Sequence, residues 1–523
     1  MGIYNEEGAY YVDGNLLKNI DLLPNINKYT YDYKKVLVAL KKINTNIDNV
    51  IFDTSIAAYL LEYNLKEDIA YLSNSLDYNI PFYTNIFKEN LDVRKICVEK
   101  AKFIYETKER FINELNDKNL YNLFNDIELP LSIVLADMEY TGFNIDKNKL
   151  IEMGEELKIK IELTSRTIYN YAGEEFNISR PSQLGEILFE KLNLPHGKKG
   201  KTGYSTAADV LEKLRDKHPI IESILEYRLL TKLYTTYIEG LINCIHEDNK
   251  IHTIYTQTLT RTGRLSSIEP NLQNIPIRNE YGRLIRKAFI PSSVSIIVSA
   301  DYSQIELRIF SCMAGVESLK DAFNNNIDIH TKTASDIFRV PIEGVTKDMR
   351  RIAKAVNFGI LYGISGFGLS ENLNINPKEA TKFINEYYET YPGIKAYQDD
   401  AIKKAHMDGH VKTLFGRIRT IPELDNKNYM IRSGAEPMAL NTPIPGTSAD
   451  IIKIAIVKLY DEFNKNNLQS KILDQVHDEL VIDCKKEEFE VVKKLLKEVM
   501  ENVIKLEGPL LIEIEYGDNW YQA

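Results

Sequence analysis

Two short stretches, whose acids Asp301 and Asp478 lie 177 residues apart, constrain this chain more than anything else in it. Ile297-Val-Ser-Ala-Asp301 is an apolar strand that ends on a carboxylate, and Gln475-Val-His-Asp-Glu479 sets two acids at a tight turn between apolar strands. A lone strand-end Asp is more often a turn former. If the two strands are neighbours, however, Asp301 and Asp478 could share hard divalent cations, whose preferred shell is oxygen ligands plus substrate phosphates. Two such ions about 3.5–4 Å apart stabilise the attacking and leaving oxygens of an in-line phosphoryl displacement. Little covalent work then remains for the protein beyond positioning and charge neutralisation.

A third stretch lies between them. Arg350, Lys354, Phe358 and Tyr362 recur at four-residue steps in Met349–Gly363. Positions i and i+4 stack on one face of an α-helix, so this face carries two cations and then two rings. Cations suit a polyphosphate and rings suit a base that must be stacked. The plain alternative is an amphipathic helix with its aromatics in the core and its cations in solvent. Upstream, Thr262–Ser267 and Pro270–Arg278 are rich in Arg, Asn and Gln with few apolar anchors. Such side chains can donate to the acceptors of a minor groove.

At 523 residues the chain exceeds one ordinary core, and two to four domains are expected. The net charge of −10 argues against a coat of nonspecific nucleic-acid affinity. Residues 256–360 nevertheless hold 14 Lys/Arg against 10 Asp/Glu, so an acidic chain with a basic cleft stays compatible with a DNA partner. The four cysteines are scattered without a C-x-x-C pair, which predicts neither disulfide framework nor zinc site and fits a reducing cytosol. No apolar run approaches the roughly 20 residues needed to cross a bilayer, and Met1–Asn5 does not open a signal peptide. The expectation is a cytoplasmic protein without membrane contact.

Along the chain, residues 1–110 read as a small α/β unit, with strands at Gly8–Val12 and Asn49–Phe52 and helices at Tyr33–Lys42 and Thr54–Glu62. No acidic pair at D-x-E spacing stands on an early strand, so a scaffold without chemistry is expected there. Residues 106–170 are helical in period and broken at Gly142. Residues 180–215 read as a helix, a Gly/Lys-rich loop at His196–Gly203 suited to phosphate contacts, and a second helix. Strand character returns over 252–310, helices over 315–432 and 447–465, then a hairpin at Ile472–Asp483 and a last helix and strand.

Three motifs carry a resemblance. Asp301-Tyr-Ser-Gln-Ile-Glu-Leu-Arg308, Arg350–Gly363 and Val476-His-Asp-Glu479 resemble motif A, the finger helix and motif C of family A DNA polymerases, in particular the large fragment of bacterial polymerase I of the Bacillus type. The similarity runs from about residue 120 to the end and more faintly through the first hundred residues. It implies an α+β, α/β multidomain right hand behind a truncated, degenerate 3′–5′ exonuclease-like domain at 1–115. Thumb and connection would occupy 116–255, palm 256–314 and 440–523, and fingers 315–439. Asp301, Tyr302 and Asp478 would hold two Mg²⁺ ions, with Mn²⁺ able to substitute, and Glu479 would stand beside them. Arg350, Lys354 and His330 would bind the incoming triphosphate, Lys354 also supplying a proton to pyrophosphate. Phe358, Tyr362 and Gln304 would line the nucleotide site, and Glu306 would close off the space of a ribose 2′-hydroxyl. Arg264, Asn271, Gln273, Arg278, Asn441 and His477 would contact primer–template DNA. A monomer acting on DNA and dNTPs is implied.

The chain also departs from the pattern. By this resemblance the stretch from Met1 would start after the first exonuclease strand with no 5′-nuclease domain ahead of it, and Asp32 alone would remain of the second exonuclease motif, so no proofreading is expected. Pro437 and Pro445 stand where most members carry Arg and Gln, and an interior helical proline costs about 3 kcal/mol. Two other readings compete: a catalytically weak, polymerase-derived DNA-binding protein, and a single-subunit RNA polymerase-like enzyme. The intact acids and Lys354 oppose the first, and Glu306 at the sugar gate opposes the second.

Overall fold

The computed structural model describes residues 1–14, 16, 17, 25–197, 199, 200, 203–277 and 279–523. Arg278, a proposed DNA contact, and Lys198 and Lys201 of the basic loop lie outside the described residues. The chain forms two compact units, one of residues 1–141, 255–267 and 299–515, the other of 142–254, 268–298 and 516–523.

In the first unit, parallel strands Lys28–Thr30 and Val50–Asp53 lead into helices Tyr33–Lys41 and Thr54–Leu60. Both helices begin on an Asp. Asp32 accepts from Lys35 N at 3.2 Å, and Asp53 accepts from Ser55 N at 2.7 Å and Ile56 N at 3.2 Å, capping donors a helix start leaves unpaired. Asp53 is fully buried, and burial pushes its carboxyl up to about 6 against these hydrogen bonds. The 25-residue helix Val93–Asp117 buries Ile96, Phe103, Thr107, Phe111 and Leu115, a helical stripe closing this core.

The central sheet has four strands in the order Lys471–Val476, Glu479–Lys485, Ser295–Tyr302, Ile512–Gly517. The strand ending in Asp301 is therefore hydrogen-bonded directly to the strand that follows Asp478. The first two strands form the expected antiparallel hairpin, and His477 turns it in the left-handed region at φ 55°. Helix Pro443–Lys465 is buried along most of its length. Helices Ile329–Phe338, Lys347–Leu361, Gly366–Leu373, Pro377–Thr390 and Pro392–Asp408 follow one another as the helical reading of 315–432 expects, but a short hairpin, His410–Lys412 with Ile418–Thr420, interrupts the run.

In the second unit, long helices Lys147–Ala172 and Pro219–Lys232 pack over a core of Ile168, Leu184, Leu188, Leu211, Ile220 and Ile224. The helix expected near 180 is short, Pro181–Gly185, and widens into a π-helical turn over Glu186–Lys191. Trp520 sits against Phe143 and Phe289, ring centroids 5.7 and 5.3 Å away, with the Arg286 guanidinium 4.0 Å over its face.

Candidate active site

The acid centre is built by two neighbouring strand ends. Tyr302 N donates to the Asp478 carbonyl at 3.2 Å, so the main chain just after Asp301 is hydrogen-bonded to the hairpin turn. Burial, then the charges of Asp478, Glu479 and Glu513, push the Asp301 carboxyl up to about 7. Burial also raises Asp478, partly offset by a hydrogen bond from Ser448 and by the charges of Arg264 and His477. Ser448 Oγ donates to Asp478 Oδ1 at 3.0 Å, and Ser299 Oγ donates to Glu479 Oε1 at 2.7 Å. Acids crowded in this way repel one another and favour either a shared proton or a cation.

Tyr302 cannot offer its phenol to such a cation, because its hydroxyl donates to Met500 O at 2.7 Å inside the core. Only its main chain lies beside Asp478. Among the described residues no group of three or more His, Cys, Asp and Glu side chains is arranged to hold a metal.

The stripe on Lys347–Leu361 faces outward. Ile352, Ala353, Val356, Ile360 and Leu361 are buried on the other side. Arg350 and Lys354 are exposed, Phe358 is half-buried, and Tyr362, just past the last turn, is 37% exposed. The rings therefore do not go to the core as the plain amphipathic reading would have them. Arg350 is not idle: its guanidinium makes a two-pronged pair with Asp328, at 2.8 and 2.9 Å. His330 is 3% exposed, its ring centroid 5.6 Å from that of Phe358 and its Nδ1 3.1 Å from the Asn357 amide. Burial, reinforced by the cations Arg350 and Lys354 against the charge of Asp328, lowers its pKa to about 4. His330 is thus neutral near pH 7, a hydrogen-bonding group rather than a third cation.

Glu306 lies in helix Ile305–Met313, which follows the strand that carries Asp301, and is 8% exposed. Its two oxygens are both taken: the Tyr362 hydroxyl donates to Oε2, and Arg264 Nη2 lies 2.5 Å from Oε1. Burial raises its pKa while these two partners hold it down. The carboxylate, the phenol and the guanidinium therefore form one wall at the end of the stripe. Gln304 begins the same helix in the left-handed region at φ 54° without capping it through its side chain. His477 is exposed at the hairpin turn. Asn441 caps helix Tyr429–Leu440, and its buried Oδ1 has no partner among the described residues; Asn271 Oδ1, in the second unit, is likewise buried and without a partner among them. Gln273 lies in the short 3₁₀ turn Leu272–Asn274 of that unit.

The two prolines differ. Pro437 is interior to Tyr429–Leu440 and removes a helical hydrogen bond. Pro445 is the third residue of a helix that starts at Pro443, where an N–H has no intrahelical partner anyway. The interior-proline cost therefore applies to Pro437 and not to Pro445.

Sequence reasoning missed a buried cluster of four charges. Arg417 Nε and Nη2 donate to Asp450 Oδ1 at 2.9 and 2.7 Å, Arg417 also pairs with Glu128, and Lys453 Nζ donates to Glu128 Oε1 at 2.7 Å. Gln257 and Thr413 complete it, at 2.7 Å from Glu128 Oε2 and Asp450 Oδ2. Burial alone would raise Glu128, but Lys453 and Arg417 hold it down to about 2. No local pattern marks these residues; the signal is that Asp450 and Lys453 interrupt the apolar run Ala449–Val457.

Comparison with known proteins bears on this arrangement. The sequence profile of DNA polymerase family A matches residues 147–522, and that of the DNA polymerase I ribonuclease H-like domain matches residues 1–84. The chain belongs to DNA polymerase family A. It is 45% identical to DNA polymerase I of Bacillus subtilis over 541 residues, covering 100% of this chain and 62% of that protein. With DNA polymerase I of Geobacillus stearothermophilus it shares 47% identity over 508 residues, 95% of this chain and 58% of the relative. It thus spans about three-fifths of these relatives' length. The POL domain of Pol1 from M. smegmatis, solved in complex with DNA primer-template and dNTP, superposes with a TM-score of 0.89 at 36% identity, over 96% of this chain and 87% of that one. The expected polymerase fold with an exonuclease-like N-terminal region is therefore the fold of this family A member. None of its described helices is long and apolar enough to cross a membrane.

Proposed function

We propose that this protein is a template-directed DNA polymerase that adds dNTPs to a primer 3′-hydroxyl by two-metal phosphoryl transfer, without proofreading. The observation that carries the reading is the juxtaposition of Asp301, on one strand, with Asp478, in the turn before the adjacent strand, together with a helix whose outer face presents Arg350, Lys354, Phe358 and Tyr362. Asp301 and Asp478, with the Tyr302 main chain, would hold two Mg²⁺ or Mn²⁺ ions. When bound, these would neutralise charge on the attacking and leaving oxygens.

The protein's own groups do the rest. Arg350, drawn from Asp328 to a phosphate, grips the triphosphate in a planar fork, while Lys354 one turn on contributes a point charge and a proton for pyrophosphate. His330 adds a neutral hydrogen bond, and Gln304 lines the pocket. The Phe358 ring lies under the sugar, with Tyr362 beside the base. Glu306, fixed by Tyr362 and Arg264, fills the place a 2′-hydroxyl would need. Arg264, Asn271, Gln273, Arg278, Asn441 and His477 contact the primer–template, for which the unmatched Oδ1 atoms of Asn271 and Asn441 are suited acceptors. Glu479, tied to Ser299, is a lesser partner of the metals. The fingers are residues 315–439, the palm 256–314 and 440–523, the thumb and its connection 116–255, and the protein acts as a monomer in the cytoplasm. Primer extension with dNTPs, rNTPs and Mg²⁺ tests the reading: dNTP-dependent, template-matched extension is expected, and its absence, or equal use of rNTPs, contradicts it.

A further inference from the structure

The helix Pro443–Lys465 enters the acid centre through one side chain, Ser448, which is 1% exposed. A serine inside a helix ordinarily satisfies its hydroxyl on the carbonyl four residues back. Two neighbours do so: Thr447 Oγ1 donates to Pro443 O at 2.6 Å, and Thr442 Oγ1 to Met438 O at 2.8 Å. Ser448 instead donates across to Asp478 Oδ1 at 3.0 Å. No protein hydrogen bond reaches Asp478 Oδ2 among the described residues.

The rotation of the helix that aims this hydroxyl is fixed independently. Thr447 Oγ1 accepts from Leu414 N at 3.1 Å, Asp450 is held by Arg417 and Thr413, and Lys453 by Glu128. Three consecutive anchors, at 447, 450 and 453, are fully buried and leave the helix no freedom to turn about its axis.

We propose that Ser448 is a positioning residue for Asp478: its hydroxyl fixes one carboxylate oxygen and so presents the other to a divalent cation. The proposal rests on the polymerase reading above. Groups that hydrogen-bond a ligating side chain set its orientation, and their loss typically costs 10–100-fold in metal affinity or activity. A serine that merely satisfied itself in the core would affect folding and leave metal affinity alone.

The test uses the full chain and Mn²⁺ as the probe. Free Mn²⁺ is followed by its electron paramagnetic resonance signal while it is titrated into the complex with a primer–template lacking a 3′-hydroxyl. Ser448→Ala should weaken Mn²⁺ binding about 10-fold and raise by a similar factor the Mg²⁺ needed for half-maximal single-turnover incorporation, with KM for dNTP and Kd for DNA unchanged. Ser448→Thr, which keeps the hydroxyl, should restore affinity to within about 3-fold of the parent. Mn²⁺ affinity in the Ala variant within 2-fold of the parent overturns the proposal, as does a Thr variant as weak as Ala. If the parent binds no Mn²⁺ that Asp301→Asn removes, the two-metal reading itself falls, and this outcome is distinct because the defect then lies in the parent.

Discussion

Replacing Glu306 by Ala should turn this protein from a discriminator of sugars into a tolerant one. The carboxylate is 8% exposed and both of its oxygens are occupied, by the Tyr362 hydroxyl and by Arg264 at 2.5 Å. A ribose 2′-hydroxyl entering this wall must displace at least one of these bonds. Leaving a buried donor or acceptor unmatched costs about 1–3 kcal/mol, more when a charge is involved. Adding the clash with a side chain held from both sides, about 3–4 kcal/mol of discrimination rests on Glu306, or roughly 10²–10³-fold in kcat/KM. Glu306→Ala should lose most of that factor. Glu306→Gln, equal in size, should keep the steric share and lose only what the charge-assisted bonds hold in place. Single-nucleotide incorporation with matched dNTP and rNTP pairs gives the ratio for the parent and both variants. A ratio in Glu306→Ala within about 3-fold of the parent would show that the sugar is read elsewhere.

Phe358→Tyr should raise the use of dideoxynucleotides by at least about 100-fold in kcat/KM, roughly 2.7 kcal/mol, because a phenol can supply the hydrogen bond a missing 3′-hydroxyl no longer makes; an unchanged ddNTP/dNTP ratio means the ring does not face the sugar. Homogeneous protein should not shorten a mismatched primer in the absence of dNTPs, and EDTA-sensitive degradation would refute this. In the buried cluster, Glu128→Gln leaves Arg417 and Lys453 with Asp450 alone and should destabilise by about 3–5 kcal/mol at pH 7 in chemical denaturation. The folded pKa of Glu128, about 2, lies below the 4.5 usual for a glutamate, so its contribution is present above about pH 4.5 and lost as pH falls through 2. The difference between variant and parent should therefore be smaller at pH 3 than at pH 7, and an equal or larger difference at pH 3 would contradict the assignment.

What the sequence could show depended on whether the pattern was local. The stripe from Arg350 to Tyr362 was legible because helical geometry alone puts those four positions on one face, and they are outward in the structure. The meeting of Asp301 and Asp478 stood only as a condition, since no local rule makes strands so far apart neighbours. Partners drawn from distant segments were not legible at all: Asp328 on Arg350, Ser448 on Asp478, and the cluster tying Glu128 to Lys453. Tyr302 was read as a metal residue without distinguishing its main chain from a phenol that turns out to be anchored on Met500. His330 is expected at the triphosphate, but its neutrality follows from burial and from the cations Arg350 and Lys354, which arrive from another helix. Pro445 precedes the helix expected over 447–465; the helix begins four residues earlier, at Pro443, which brings the proline into its first turn.

The central claim is that Asp301 and Asp478 act together on the transition state. Single-turnover incorporation by Asp301→Ala and Asp478→Ala, with primer–template Kd measured on the same preparations, tests it most directly. Extension should vanish in both while DNA affinity stays within a few-fold, because duplex affinity comes from many phosphate contacts. Substantial extension by either variant would contradict the account.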